Sequence, residues 1–130
     1  MKDRAYAMYR SLPGVSYDEA LTRVTEALNG EGFGVLTTID VRSTFREKLG
    51  EEFRPFVILG ACNPVLAHAA LSEDSAIGLL LPCNVVVAAT EDGSEVSCVR
   101  PDQMMEMAGP GIEHVADEAQ EKLERVMAAL

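Results

Sequence analysis

A strand that leads directly into a helix is predicted by residues 56–64, which read Phe56-Val57-Ile58-Leu59-Gly60-Ala61-Cys62-Asn63-Pro64. The continuous apolar run at its start is typical of a strand that is largely covered by other elements. Asn63 is a preferred N-cap residue, and Pro64 suits the first helical position, where a backbone N–H has no intrahelical partner. We therefore expect a strand from Phe56 and a helix that begins after Asn63 and runs through Leu71.

A second Cys-Asn step, Cys83-Asn84, follows Cys62-Asn63 along the chain. The stretch between them has about the length of one helix plus one strand, so the two steps are expected to meet in space. Both interrupt apolar sequence, where an amide must find hydrogen-bond partners. The surrounding run, residues 77–89, is predicted to form a long strand or a broken pair of strands. Because Pro82 cannot donate to a strand ladder, we expect it at an edge, a bulge or a corner.

Local signals predict the other elements, and together they indicate a single domain over residues 1–130. The class is α+β, with a mainly antiparallel sheet of four to five strands and helices packed on it. These elements are a strand at 4–11, a helix from the capping box Ser16-Tyr17-Asp18-Glu19 to the left-handed stop at Asn29-Gly30, a strand at 33–39, a short helix between Asp40 and Gly50, a hairpin turn at 90–94 with its strand at 95–99, and a C-terminal helix at 111–130 with one apolar stripe.

The composition of the 130 residues excludes several classes of partner. The 11 basic and 21 acidic residues give a net charge of −10, which repels both nucleic-acid backbones and acidic membrane surfaces. No targeting segment or membrane-spanning run is recognised, and three cysteines without paired spacing do not form a secreted disulfide framework. We therefore expect a cytoplasmic protein that binds neither nucleic acid nor membrane.

The candidate site residues are Cys62, Asn63, Cys83 and Asn84. If Asn63 caps a helix, Cys62 lies at the positive end of the helix dipole, where the pKa of a thiol falls. Cys62 is then a reactive thiolate or a soft-metal ligand, or alternatively a small buried hydrophobic residue. Asn84 either faces a ligand or satisfies backbone groups near Pro82, and we expect its amide to be at least partly buried and hydrogen-bonded.

A metal site is not predicted. Cys62, His68, Cys83 and His114 supply enough ligands for zinc, but the closely spaced ligand pairs of structural or protease-type zinc sites are missing from the sequence.

Three blocks of sequence carry a resemblance to a known family. They are Gly32-Phe33-Gly34-Val35-Leu36 with Ile39-Asp40, then Leu59-Gly60-Ala61-Cys62-Asn63-Pro64 with Ala67 and Ala70-Leu71, and then Ile77-Gly78-Leu79-Leu80-Leu81-Pro82-Cys83-Asn84-Val85-Val86-Val87. In this order and spacing they resemble the domain-of-unknown-function family 302 over roughly residues 15–101. The resemblance implies a small cytoplasmic prokaryotic protein, often a homodimer, with a TATA-binding-protein-like fold. It implies no established activity.

The sequence favours a homodimer that binds a small molecule beside the two Cys-Asn steps. Two surfaces are expected to be available for the second copy: the cluster Met104-Met105-Met107 and the apolar stripe that ends at Leu130. The interface is expected to include the C-terminal helix or a sheet edge. The alternatives are a thiol-dependent redox enzyme that uses Cys62 and Cys83, and a structural or interaction module in which both steps serve folding.

Overall fold

Five antiparallel strands form one sheet in the order β1-β5-β4-β3-β2 in the computed structural model, which describes residues 4–130. The first three residues of the predicted domain lie outside this range. The elements are β1 (Ala7–Pro13), α1 (Tyr17–Gly30), β2 (Gly34–Asp40), α2 (Val41–Leu49), β3 (Phe56–Cys62), α3 (Pro64–Glu73), a 3₁₀ segment (Ser75–Leu80), β4 (Cys83–Thr90), β5 (Gly93–Val99), α4 (Pro101–Met104), a second 3₁₀ segment (Met105–Ala108) and α5 (Glu113–Ala128). The predicted α+β class is confirmed.

The two faces of the sheet have different coverings. Helices α1 and α5 pack on one face, the helix face, where the strand positions that project inward form the core with residues such as Val57, Val85 and Val96. The opposite face, the open face, includes Phe56, Ile58 and the positions paired with them on neighbouring strands. The short helix α2 lies beside this open face and contacts β3.

The predicted caps fix the starts of three helices. The side-chain oxygen of Ser16 accepts the Glu19 N–H at 3.1 Å, Asp40 accepts the Ser43 N–H at 2.9 Å, and Asn63 accepts the Leu66 N–H at 3.3 Å. In each case a side chain satisfies a backbone donor that has no partner within its helix.

Two local predictions are wrong in detail. The left-handed residue after α1 is Gly32, with φ of 82°, because the helix includes Gly30 and the chain turns two residues later. Residues 77–89 do not form strand throughout, since 75–80 form a 3₁₀ segment in which the Asp74 carboxylate accepts the Ala76 N–H at 3.0 Å. Pro82 interrupts hydrogen bonding, and the strand begins at Cys83.

The apolar stripe of α5 packs inside the molecule. Seven residues of the helix, including Leu123 and Val126, are buried against the sheet and α1. Met105 is buried as well, while Met107 is 73% exposed. Most of the two surfaces expected to bind a second copy therefore belongs to the core of a single chain.

Gly60 allows two neighbouring elements to approach the open face of β3. A Cβ at this position would lie 2.8 Å from Cγ of Pro82 and would also overlap the Thr37 hydroxyl. Thr37 lies opposite Gly60 on β2, and Asn84 lies opposite it on β4. A side chain at residue 60 would therefore separate β3 from the segment that begins β4.

We predict that Gly60→Ala lowers the free energy of unfolding by about 1–3 kcal/mol, because the added methyl group overpacks this contact. Urea unfolding followed by circular dichroism measures the change. Gly34→Ala on β2 is the matched control, since a Cβ there meets no atom of residues 4–130 within 4 Å. Equal midpoints for the two variants would contradict the packing role of Gly60.

Candidate functional site

An apolar cavity of about 40 Å³ lies between the end of β3, the start of β4 and helices α3 and α5. The second 3₁₀ segment and the start of α4 close its remaining side. The lining residues are Phe33, Ala61, Cys62, Asn63, Leu66, Ala67, Ala70, Leu81, Pro82, Cys83, Pro101, Met105, Ile112, Val115, Ala116 and Ala119. The structure thus brings three of the four predicted site residues to one cavity.

Cys62 and Cys83 lie on adjacent strands. Cys83 pairs with Ala61, so the ladder places it one residue out of register with Cys62. Side chains alternate along a regular strand, and Cys83 therefore projects to the helix face together with Ala61. Cys62 is the last residue of β3 and remains half-buried, whereas Cys83 is buried. Both thiols are free.

Burial determines the protonation of the inner thiols. It raises the pKa of Cys83 to about 11, with a smaller contribution from Cys62, and it raises the pKa of Cys98 further. Because an apolar environment disfavours the thiolate, Cys83 remains a neutral thiol at pH 7. Cys83 thus acts as part of an apolar wall under these conditions.

Asn63 forms the junction between β3 and α3. Its Oδ1 accepts the Leu66 N–H, and its Nδ2 donates to the Glu31 carbonyl at 3.4 Å, which ties the start of α3 to the end of α1. The side chain is buried and packs against Gly32. Both ends of the amide are therefore engaged in holding the wall of the cavity.

Asn84 does not join the other three residues. The prediction that its amide is partly buried is wrong: Asn84 is exposed on the open face, opposite Gly60. The physical reason is strand alternation, because Cys83 projects to the helix face and the next residue must project away from it. The two Cys-Asn steps therefore have different roles, a helix cap at Asn63 and a surface amide at Asn84.

A buried carboxylate on the open face was missed at the sequence level. Glu95 is 4% exposed and accepts hydrogen bonds from the Tyr9 hydroxyl at 2.9 Å and from Arg54 at 2.9 Å. Arg54 also donates to the Ala89 carbonyl. The alternation of Glu95 with buried Val96 is typical of a solvent-facing position, and the partners are far away in sequence, so no local signal identifies this cluster.

The histidines lie apart from the cavity lining, since His68 on α3 and His114 on α5 are both exposed. Within residues 4–130, no three His, Cys, Asp or Glu side chains are grouped so that they could hold a metal ion. In the same described range, no helix has the length and apolarity needed to cross a membrane.

Comparison with known proteins identifies the family. The model of the family described as "Domain of unknown function DUF302" matches residues 8–130. The chain belongs to this family. The match extends beyond residues 15–101 and includes α5. No functionally curated protein matches the chain.

A solved structure with the same fold supports this membership. It is the crystal structure of an uncharacterized conserved DUF302 protein from Bacillus stearothermophilus, 28% identical in sequence. The similarity covers 97% of this chain and 98% of that chain, with a TM-score of 0.86. The five-stranded arrangement with its packed helices is therefore shared with a DUF302 protein.

We predict that Asn63→Ala destabilises the protein by about 1–2 kcal/mol, because it removes an N-cap and leaves buried backbone groups without their partner. Asn84→Ala is the matched control and should change the free energy of unfolding by less than about 0.5 kcal/mol, as expected for an exposed side chain. Thermal and urea unfolding measure both effects. Equal losses would refute the division of roles between the two asparagines.

We predict that Glu95 stabilises the fold at neutral pH and loses this effect in acid. Burial alone would raise the pKa of Glu95, but the hydrogen bonds from Tyr9 and Arg54 outweigh burial, and the net pKa is lowered. A lowered folded-state pKa gives stability that is present above the unfolded pKa and is lost as the pH falls through the folded pKa.

The test compares Glu95→Gln with the wild type by urea unfolding between pH 7 and pH 3. The variant should be less stable by about 1–3 kcal/mol at pH 7, because its partners are charged or buried, and the difference should shrink toward pH 3. Glu91→Gln, an exposed carboxyl in the same hairpin, is the control and should show little difference. A difference for Glu95→Gln that does not vary with pH would contradict the ionised carboxylate.

Proposed function

We propose that this protein is a homodimeric small-molecule-binding module, which takes a small apolar group of its ligand into the cavity beside Cys62 and Cys83. The observation that carries the proposal is the cavity itself, because close-packed interiors rarely leave such space. Five of its lining residues are alanines, so small side chains on β3, α3 and α5 face one another across it.

The size and chemistry of the cavity indicate the class of ligand. Pockets for drug-sized molecules measure roughly 300–1,000 Å³, so about 40 Å³ suits one small group and not a whole metabolite. Of the described lining residues, Asn63 carries the one amide, and both ends of that amide are already hydrogen-bonded. The group that enters therefore needs to be apolar, such as a methyl or a short alkyl chain.

The exposure of the lining residues indicates where the ligand enters. Cys62, Ala67, Leu81 and Pro82 are half-buried, whereas Cys83, Ala70 and Ala116 are buried. We place the mouth at the first group and the floor at the second. Cys62 then contacts the ligand at the entrance, Cys83 forms part of the soft apolar floor, and Asn63 keeps the wall in position.

A thiol-dependent redox reaction of Cys62 and Cys83 is the second candidate, supported by their approach to one cavity. The raised pKa of Cys83 counts against it, since the attacking species in thiol exchange is the thiolate. The structural alternative describes Asn63 best, because its Oδ1 caps α3 and its Nδ2 donates to the Glu31 carbonyl. A binding role accommodates both observations.

The three free thiols suit a reducing compartment, which supports the proposed cytoplasmic location. The homodimer is supported by exposed apolar side chains that remain on the surface of the single chain, among them Leu36 and Ile39.

The cavity is tested with dissolved xenon, a probe that binds dry apolar cavities. Methyl ¹H–¹³C spectra of the labelled protein should show saturable shifts at Leu66, Ile112 and Val115, which line the cavity. Ala67→Leu should fill the mouth and reduce these shifts at least about fivefold, as expected when the free volume is occupied.

Ala69→Leu is the matched control, because Ala69 lies on the same helix with similar burial but outside the lining. It should keep the wild-type response. Equal xenon shifts at the exposed methyls of Val65 and at the cavity methyls, or no loss in Ala67→Leu, would overturn the binding proposal.

A further inference from the structure

Apolar side chains are concentrated at one edge of the molecule, on a surface that comprises β2, α2 and the segment 50–55 that leads to β3. We call it the β2–α2 surface. Four exposed large hydrophobic residues lie within it: Leu36 at 69%, Ile39 at 48%, Leu49 at 67% and Phe53 at 40% exposure. Each of the nine residues of α2 is half-buried or exposed, so this helix has no face enclosed by its own chain.

A groove runs along this surface on the open face. It measures about 420 Å³ and is lined by Ile39, Val41, Thr44, Phe45, Phe53, Phe56 and Ile58. The ring of Phe53 contacts those of Phe45 and Phe56 edge to face, with centroid distances of 5.1 and 5.7 Å. The three rings thus hold α2 beside the sheet while leaving apolar area uncovered.

The two edges of the sheet differ in their protection. Native proteins blunt an exposed edge with charged residues or proline. The β1 edge carries Arg10, which donates to the Met127 carbonyl at the end of α5, and it ends at Pro13. The β2 edge reads Gly34 to Ile39 without a charge or a proline before Asp40. The register shift between Val35 and Thr37 is an irregularity of a kind that also protects edges, but beyond it the pairing of β2 with β3 is regular from Thr37 to Asp40.

The distribution of charge favours a second copy of this chain on the β2 edge. Two molecules of net charge −10 repel each other over most of their surfaces. Residues 34–58 are balanced, however, with four basic and four acidic residues: Arg42, Arg46, Lys48, Arg54, Asp40, Glu47, Glu51 and Glu52. The excess negative charge lies entirely outside this segment, so the segment adds no net charge to the repulsion between two copies.

We propose that two copies of the chain pair through the β2–α2 surface, with β2 antiparallel to β2 of the second copy. This inference rests on the homodimer of the proposed function and assigns its interface. A two-fold axis perpendicular to the sheet extends the sheet through both copies and places both α2 helices on the same side, beside the joined open faces. The exposed side chains of Leu36 and Ile39 then become buried between the subunits.

The test is the molar mass of the full chain, measured by light scattering and sedimentation equilibrium at micromolar concentration. The wild type should have twice the 14.0 kDa of the single chain. Leu36→Lys and Ile39→Lys should raise the dissociation constant of the dimer at least about tenfold, because each places a charge in the paired edge of both copies. Both residues are exposed in the single chain, and unchanged circular dichroism verifies the fold.

Leu79→Lys is the control, since Leu79 is 89% exposed on the first 3₁₀ segment, away from β2. It should leave the dissociation constant unchanged. If Leu36→Lys and Ile39→Lys stay as dimeric as the wild type, or Leu79→Lys weakens the dimer as much as they do, the assigned interface is overturned while the dimer stands. A wild-type mass of 14.0 kDa overturns both the dimer and its interface, and the xenon experiment tests the cavity separately.

Discussion

The path of β3 constrains most of the structure. This strand pairs with β2 on one side and β4 on the other, and it turns into α3 immediately after its last residue. Because Gly60 has no side chain, Thr37 and Pro82 can approach the open face of β3. Asn63 follows the last residue of β3 and is the N-cap of α3. Because Asn63 also binds the Glu31 carbonyl, the same residue joins α1, β3 and α3. The walls of the cavity depend on this junction.

The cavity follows from the small residues that surround this junction. Ala61 on β3, Ala67 and Ala70 on α3, and Ala116 and Ala119 on α5 face a common space. Larger side chains there would close it, and the hydrogen bonds of Asn63 tie the start of α3 to the end of α1 beside it. The free space is thus a consequence of fixed backbone positions combined with short side chains, which is the arrangement that a preformed binding site requires.

Charge acts differently inside and outside this molecule. The net charge of −10 opposes the approach of other acidic molecules, and residues 34–58 contribute none of that net charge. The buried Glu95 is tolerated because the Tyr9 and Arg54 side chains donate hydrogen bonds to its carboxylate oxygens. These contacts link β5 to β1 and to the segment before β3 on the open face. A buried carboxylate without such partners would be costly.

The sequence by itself determined the local structure. Caps at Ser16, Asp40 and Asn63, the hairpin turn between Thr90 and Gly93 and the apolar stripe of α5 are encoded by neighbouring residues, so the α+β class and most element positions could be read directly. The approach of Cys62 and Cys83 was also expected from the length of chain between them, although α3 and a 3₁₀ segment, and not a helix and a strand, separate them.

Only the tertiary structure decided which side chains share a space. Strand alternation puts Cys83 and Asn84 on opposite faces of β4, but only the packing of helices on one face of the sheet decides that Cys83 is buried and Asn84 exposed. The partnership of Glu95 with Tyr9 and Arg54 joins residues that are distant in sequence, as does the meeting of α5 with the start of β4. Such contacts depend on the packing of whole elements, whereas a cap or a turn depends on a few adjacent residues.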